Sequence, residues 1–157
     1  MALAVTRALF VCLGNICRSP LAEAAFRRAA EEAGLEAEAD SAGTGDWHVG
    51  NPPDTRAQGV ALANGVDISG LRARKFVVED FERFTHIFAM DADNLAMIRA
   101  MRPSNSKAEV ALLLDAVPGR AGEPVADPYY GGEEGFHTTW SDVDAAARAL
   151  VARLASE

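Results

Sequence analysis

The chain has 157 residues, of which 49% are hydrophobic and 24% charged, as is typical of one globular domain with a single core. Its net charge of -8 argues against a nucleic-acid partner, because contacts with a phosphate backbone need a basic surface. Two cysteines are too few for a disulfide scaffold, and no apolar run approaches the ~20 residues that span a membrane. We therefore expect one cytoplasmic domain over residues 1–157, without a membrane partner, that is a monomer or a weak oligomer.

A strand, a short loop and a helix open the chain. The apolar run 8–11 predicts a buried strand, and Ser19 and Pro20 predict the N-cap and the first position of a helix. The loop between them contains Gly14 and Asn15, which readily adopt a left-handed backbone and let a short loop turn its amide N–H groups inward. Inward amides beside a helix N-terminus form a site for a tetrahedral anion, so we call residues 12–18 the phosphate loop.

Cys12 and Arg18 stand at the two ends of the phosphate loop, on opposite sides of any anion that it surrounds. Arg18 can hold two phosphoryl oxygens in its planar fork while Cys12 attacks phosphorus. A helix N-terminus, a nearby arginine and a ring of amides all favour a thiolate over a thiol. Ser19 either donates a hydrogen bond to that thiolate or only caps the helix, and both interpretations stay open. The pattern predicts covalent phosphoryl transfer.

Strands and helices alternate along the rest of the chain. Further strands are predicted at 35–41, 85–90 and 108–114, and further helices at 55–63, after Asp91 and at 136–154. Asp91 itself is interpreted as the N-cap of its helix rather than as a catalytic acid. Together these elements predict a three-layer α/β/α domain with a four-stranded parallel sheet in the order 2-1-3-4. Ligands of such sheets bind at the carboxyl ends of the strands, where Cys12 lies.

The stretch 121–135 is predicted as a long loop, and loops of that length in a compact domain are usually functional. If it folds over the phosphate loop, Asp127 can protonate a departing oxygen and then activate water. Tyr129 and Tyr130 follow Asp127 directly, and we expect them in the substrate cleft. Trp47 lies in another loop rich in turn-forming residues, where we favour a place in the cleft wall over a place in the core.

Residues 11–23, VCLGNICRSPLAE, resemble the signature of the low-molecular-weight protein tyrosine phosphatases. Later blocks resemble the same family in its order and at its spacing, at 41–44, 65–69, 90–91 and 127–130. The resemblance implies hydrolysis of phosphotyrosine in a protein substrate, without metal or cofactor, and with phosphate as product or inhibitor. It assigns Cys12 as the nucleophile, Arg18 as the phosphoryl ligand and Asp127 as the general acid and base.

The resemblance also implies which residues bind the phosphate or support the loop, namely Leu13, Gly14, Asn15, Ile16, Cys17, Ser19 and Ser41. Ser41 is expected to hydrogen-bond the side chain of Asn15 and so hold the unusual loop backbone. Many members carry a histidine at the position of Leu71, where it takes part in this network. Leucine cannot, so either water fills the role or the pair of Asn15 and Ser41 suffices.

Several alternatives share the same loop. Arsenate reductases that couple to thioredoxin need two further cysteines, and none follows Cys17 in this chain. The protein-arginine phosphatase branch tends to carry threonine where this chain has Ile16, whose apolar side chain favours a tyrosine ring. A phosphate-binding module without turnover has no use for Cys12 and Asp127 together. Cys17 is expected either to trap an oxidised Cys12 as a reversible disulfide or to be a buried inert thiol.

Overall fold

Strands and helices alternate along the chain in the computed structural model, which describes residues 5–157. In chain order the elements are β1 (Thr6–Cys12), α1 (Arg18–Ala33), β2 (Ala37–Gly43), α2 (Thr55–Ala63), α3 (Asp80–Arg83), β3 (His86–Ala89), α4 (Ala92–Met101), β4 (Glu109–Leu112), a 3-10 helix (Leu113–Ala116) and α5 (Glu133–Ala155). No helix within residues 5–157 is both long and apolar enough to cross a bilayer.

The four strands form one parallel sheet in the order β2-β1-β3-β4, which confirms the predicted order. β1 therefore lies in the interior of the sheet, with β2 on one side and β3 on the other. Its residues 8–11 are completely buried, which explains why the strand is apolar on both faces rather than alternating. The register places Cys12 at the carboxyl end of β1, opposite Gly43.

Two hydrophobic clusters separate the layers on the two sides of the sheet. Phe10 of β1 packs with Phe26 of α1 and Phe88 of β3, at ring distances of 5.6 Å and 5.8 Å, in the cluster that α1, α2 and α5 complete. Leu9 and its neighbours on the other face pack in the cluster that α3 and α4 cover. Burying an aromatic or aliphatic side chain of this size stabilises the fold by about 1.5–3 kcal/mol. The layers confirm the predicted α/β/α arrangement.

The predicted start of α1 is wrong by two residues. The helix begins at Arg18 with Cys17 as its N-cap, and no side chain caps it. Ser19 lies inside the first turn because its hydroxyl group contacts the Cys12 thiol instead of a backbone amide. The first-turn N–H groups are thus left without a side-chain partner at the end that faces the phosphate loop. The C-cap, Gly34, has the left-handed backbone (φ 69°) that favours glycine.

Other boundaries also shift. β4 ends at Leu112 because the chain turns into a 3-10 helix, whereas the apolar run predicted a strand to residue 114. α5 begins at Glu133, so the long loop before it ends three residues earlier than predicted. The four-residue helix α3 was not predicted, since it is too short to give a periodic pattern.

Candidate active site

A cleft opens at the carboxyl end of β1, where a parallel sheet is expected to bind its ligand. Most of the predicted site residues line it: Cys12, Leu13, Gly14, Ile16, Cys17 and Arg18 from the phosphate loop, and Trp47, Asp127, Tyr129 and Tyr130 from the longer loops. Three further predicted residues, Asn15, Ser19 and Ser41, are buried beneath the phosphate loop, where they contact one another. The fold therefore brings all of the predicted site residues together.

The Cys12 sulfur is buried, and a backbone N–H and a hydroxyl group lie within hydrogen-bonding distance of it. The Asn15 N–H donates to Sγ at 3.2 Å, and the Ser19 hydroxyl lies 3.0 Å from Sγ. Both groups can donate a hydrogen bond to negative charge on Sγ. Ser19 therefore stands where it can stabilise the sulfur anion, and it does not cap the helix.

Asn15 holds the shape of the phosphate loop. It is the one residue other than glycine with a positive φ (59°) in the described part of the chain. Its side-chain Nδ2 donates to Ser19 at 2.9 Å and to Ser41 at 3.0 Å, while its Oδ1 accepts from the Arg74 N–H at 3.0 Å. Every polar atom of the amide is thus used, which offsets the cost of a left-handed backbone, about 1 kcal/mol or more.

Glu23 is a site residue that the sequence did not reveal. The helical pattern placed it with the polar residues of α1, yet it is 1% exposed, and it accepts a hydrogen bond from the Ser41 hydroxyl at 2.8 Å. Burial raises the pKa of Glu23, while the bonds from Ser41 and Arg27 act in the opposite direction. Arg27 forms an ion pair with it at 2.9 Å, as expected for the ionised form.

The carboxylate of Glu23 sets the direction of the hydrogen bonds beneath the loop. Because a carboxylate only accepts, the Ser41 hydroxyl must donate to Glu23 and accept from Asn15. Asn15 in turn donates to the Ser19 oxygen, which leaves the Ser19 hydrogen free to point at Cys12 Sγ. Three hydrogen bonds thus connect the buried Glu23 carboxylate to the hydroxyl group that faces Cys12 Sγ.

Leu71 occupies the position where many relatives were expected to carry a network histidine. Its partly buried side chain packs against the larger hydrophobic cluster. The network reaches Glu23 on one side and the backbone of Arg74 on the other. The guanidinium of Arg74 binds the buried carboxylate of Asp80 at 3.1 Å. This ion pair fixes the backbone that supports Asn15.

Arg18 is buried, and Asp91 orients its guanidinium. Nη1 donates to Asp91 Oδ2 at 2.7 Å and to the Val125 carbonyl at 3.1 Å. The other oxygen of Asp91 accepts from the Asn94 N–H at 2.8 Å, which is the N-cap contact predicted for α4. The sequence thus indicated the cap but not the ion pair with Arg18. Within residues 5–157 the hydrogen bonds of Arg18 use Nη1 alone, so Nε and Nη2 remain for an anion.

Asp127 lies across the cleft from the phosphate loop. Its Oδ1 accepts from the Tyr129 N–H at 3.0 Å, and its Oδ2 lies 3.6 Å from Arg18 Nη2. The carboxyl group is exposed to solvent and close to the place where an anion would lie. This is the position needed by a group that exchanges protons with both a substrate and water.

Aromatic side chains form the rim of the cleft. Tyr129 and Tyr130 pack edge to face at 4.9 Å, and Trp47 is 69% exposed, as is usual for a binding surface rather than a core. The ring of His48 also lines the cleft and lies 6.4 Å from the Tyr129 ring. Ile16 adds an apolar side chain to the wall.

Cys17 is a free, buried thiol that lines the same cleft as Cys12. Burial raises the pKa of Cys17, and the nearby Asp54 carboxylate raises it further. Cys17 is therefore a protonated thiol at neutral pH. Residues 5–157 hold no cluster of three or more histidine, cysteine, aspartate or glutamate side chains arranged to bind a metal ion.

Comparison with known proteins identifies the family. A family model described as low molecular weight phosphotyrosine protein phosphatase matches residues 7–157. The chain belongs to this family. A low molecular weight phosphotyrosine protein phosphatase from Schizosaccharomyces pombe is 52% identical over 131 residues, which make up 82% of this chain and 83% of the relative. The phosphotyrosine phosphatases are hydrolases, so this chain is an enzyme of that class.

Solved structures of other phosphatases share the whole fold. A protein tyrosine phosphatase from Entamoeba histolytica superimposes with a TM-score of 0.91 at 37% identity, over 96% of this chain and 97% of that chain. An arginine phosphatase from Drosophila superimposes with a TM-score of 0.88 at 30% identity, over 94% of this chain and 96% of that chain. The three-layer fold is thus common to phosphatases named for two different substrates, and substrate choice must be argued from the cleft.

Proposed function

We propose that this phosphatase hydrolyses phosphotyrosine in proteins through a phosphocysteine intermediate on Cys12. The observation that supports this most is the environment of the Cys12 sulfur, which two groups of the phosphate loop and α1 approach within hydrogen-bonding distance. A buried sulfur with such neighbours, at the floor of a cleft and beside a helix N-terminus, is a nucleophile rather than a structural thiol.

In the first step the Cys12 thiolate attacks phosphorus, and the bond between phosphorus and the tyrosine oxygen breaks. Arg18 holds two of the phosphoryl oxygens with Nε and Nη2, in the orientation that Asp91 imposes on its guanidinium. Asp127, protonated at this stage, gives its proton to the departing phenolate. The amides of the phosphate loop bind the remaining oxygen charge.

In the second step Asp127, now a carboxylate, takes a proton from water as the water oxygen attacks phosphorus. The phosphorus–sulfur bond breaks, and inorganic phosphate leaves. The departing sulfur carries the negative charge, which the Ser19 hydroxyl and the Asn15 N–H stabilise. The same two contacts therefore help both the attack and the departure of the sulfur.

The cleft favours an aromatic substrate. Ile16, Trp47 and Tyr129 present apolar surface to a ring that enters from the rim. A phosphoarginine side chain is a longer, charged group that gains less from such walls. Because an arginine phosphatase has the same fold, phosphoarginine is the competing substrate for the test.

The test compares a phosphotyrosyl peptide with the matching phosphoarginyl peptide, both in excess chelator. The wild type is expected to hydrolyse the phosphotyrosyl peptide with the higher kcat/KM, and Cys12→Ser to hydrolyse neither while still binding inorganic phosphate. Acid quenching in the first turnovers should trap phosphate on Cys12. Higher kcat/KM for phosphoarginine would overturn the substrate assignment, and phosphate binding without turnover would overturn the enzyme mechanism.

A further inference from the structure

Arg56 of α2 is the residue that reaches the loop carrying Asp127. Its Nη2 donates to the Tyr129 carbonyl at 2.8 Å, and its Nη1 donates to the Gly131 carbonyl at 2.9 Å. Its guanidinium also stacks on the rings of Tyr129 and Phe136, at 5.7 Å and 4.6 Å. We call residues 127–131 the acid loop.

The acid loop has few other attachments. Its remaining hydrogen bonds are internal, from the Tyr129 N–H to Asp127 and from the Gly131 N–H to the Pro128 carbonyl. Among the described residues, Arg56 therefore provides each hydrogen bond that joins the acid loop to another part of the chain. Arg18 approaches Asp127 only at 3.6 Å, beyond hydrogen-bond distance.

The other end of this connection is the phosphate loop. Arg56 binds both carboxylate oxygens of Asp54, at 3.1 Å each. The Asp54 N–H in turn donates to the Ile16 carbonyl at 2.8 Å. The Asp54 carboxylate also caps α2 through the Arg56 N–H at 2.8 Å, which fixes it to a helix. A continuous set of contacts thus runs from Ile16, through Asp54 and Arg56, to the acid loop.

We infer that Arg56 is a positioning residue that sets the distance between Asp127 and the nucleophile. The inference rests on the proposed role of Asp127 as general acid. Arg56 binds the Tyr129 and Gly131 carbonyls, which follow Asp127 in the turn. Through Asp54 it also connects these carbonyls to the phosphate loop. Without it the acid loop keeps its internal turn, the buried Pro128 and the packing of Tyr129, but it loses both hydrogen bonds to α2, so the carboxyl group is held less firmly within reach of the leaving oxygen.

The effect on kcat/KM is selective, because this ratio covers the steps up to formation of the phosphocysteine, and in those steps Asp127 only protonates the leaving oxygen. Substrates whose phenolate leaves readily, such as 2,4-dinitrophenyl phosphate, need little help from the acid. Phenyl phosphate, whose phenolate is a poor leaving group, needs it most. Loss of Arg56 should therefore lower kcat/KM for phenyl phosphate and leave 2,4-dinitrophenyl phosphate nearly unaffected. Inhibition by inorganic phosphate should not change, since Cys12, Arg18 and the loop amides remain in place.

The experiment measures kcat/KM for both substrates with the wild type, Arg56→Met, Arg56→Lys and Asp127→Asn. Met keeps the aliphatic packing of the side chain, and Lys keeps the charge but lacks the fork that reaches two carbonyls and a carboxylate. Arg120→Met is the matched control, because Arg120 also binds two carboxylates, those of Glu123 and Asp142, but does not line the cleft. Thermal unfolding of each variant shows whether it is folded.

We expect Arg56→Met to lose about 10- to 100-fold in kcat/KM for phenyl phosphate and less than about threefold for 2,4-dinitrophenyl phosphate. Arg56→Lys should lie between it and the wild type, and Arg120→Met should match the wild type. Equal losses on both substrates, or no loss on either, in a folded Arg56 variant would overturn the inference. If Asp127→Asn shows no such selectivity, the proposed role of Asp127 fails instead, and the two failures are thereby distinguished.

Discussion

Replacing Ser19 by alanine removes the hydroxyl that faces the nucleophile while leaving most of the supporting network intact. Ser19 is completely buried, and its oxygen lies 3.0 Å from Cys12 Sγ. Asn15 keeps its bonds to Ser41 and to the Arg74 backbone in the variant, so the loop retains its left-handed residue. The change therefore tests one contact rather than the whole loop.

The magnitude follows from the type of bond. A hydrogen bond to a charged group is worth about 1.5–3 kcal/mol, and each 1.36 kcal/mol is a factor of ten. Ser19→Ala should therefore slow the alkylation of Cys12 by iodoacetate at pH 6 by about 10- to 150-fold, since iodoacetate reacts with the thiolate. The value of kcat should fall as well, because the sulfur that leaves the phosphoenzyme loses the same donor.

The matched control is Thr85→Val, which removes a partly buried hydroxyl at the amino-terminal end of β3, on the opposite edge of the sheet from the cleft. It should change stability without changing alkylation. Alkylation of Ser19→Ala within about twofold of the wild type would refute the idea that Ser19 donates to the sulfur. It would also refute the direction of the hydrogen bonds that run from Glu23 through Ser41, Asn15 and Ser19 to Cys12.

Three further outcomes are expected. Burial raises the pKa of Glu23, so the free energy of unfolding of the wild type should fall as the pH rises from about 4.5 through that raised pKa. Urea unfolding of Glu23→Gln should not show this fall. Gly43→Ala should lower kcat/KM by about 10- to 100-fold, because the added Cβ would lie 2.8 Å from the Leu13 carbonyl oxygen and displace the phosphate loop. After mild peroxide treatment, dithiothreitol should restore the activity of the wild type but not that of Cys17→Ser, because an oxidised Cys12 has no thiol partner in the variant.

Each of these three outcomes has a contrary result, and Gly43→Ala also has a matched control. The Glu23 prediction is contradicted if the difference in the free energy of unfolding between Glu23→Gln and the wild type stays constant from pH 4 to 8. Gly59→Ala, at an exposed helical position with open space around it, should be neutral or stabilising, and an equal loss of activity there contradicts the second. Equal recovery of Cys17→Ser and the wild type contradicts the third.

Local patterns in the sequence were sufficient for most of the fold. The uniform apolar run of β1 is what a strand covered on both faces requires. Asp91 has its predicted role as the cap of α4, because a cap contact joins residues only three apart. The start of α1 was missed for a physical reason. Ser19 has a competing partner in Cys12, and propensities for capping cannot include a contact made by a distant strand end.

The candidate site divides in the same way. The residues of the phosphate loop could be predicted because one short segment carries Cys12, Arg18 and the loop that joins them. Glu23 and Arg56 could not, since nothing in the spacing of a helix shows that a charged side chain on it is buried or binds a loop 70 residues away. The one available signal was a carboxylate at position 23 on an otherwise apolar stretch of α1.

The place of β1 in the sheet gives the two halves of the cleft different local stabilities. The backbone that holds Cys12 is paired on both sides and fully covered, so its amides should exchange with solvent deuterium only when the whole domain unfolds. Trp47 and Tyr130 lie on loops that open at far lower cost. Changes in the rim can therefore alter which phosphoprotein enters, at little expense in stability, while Cys12 stays at the end of the most protected strand.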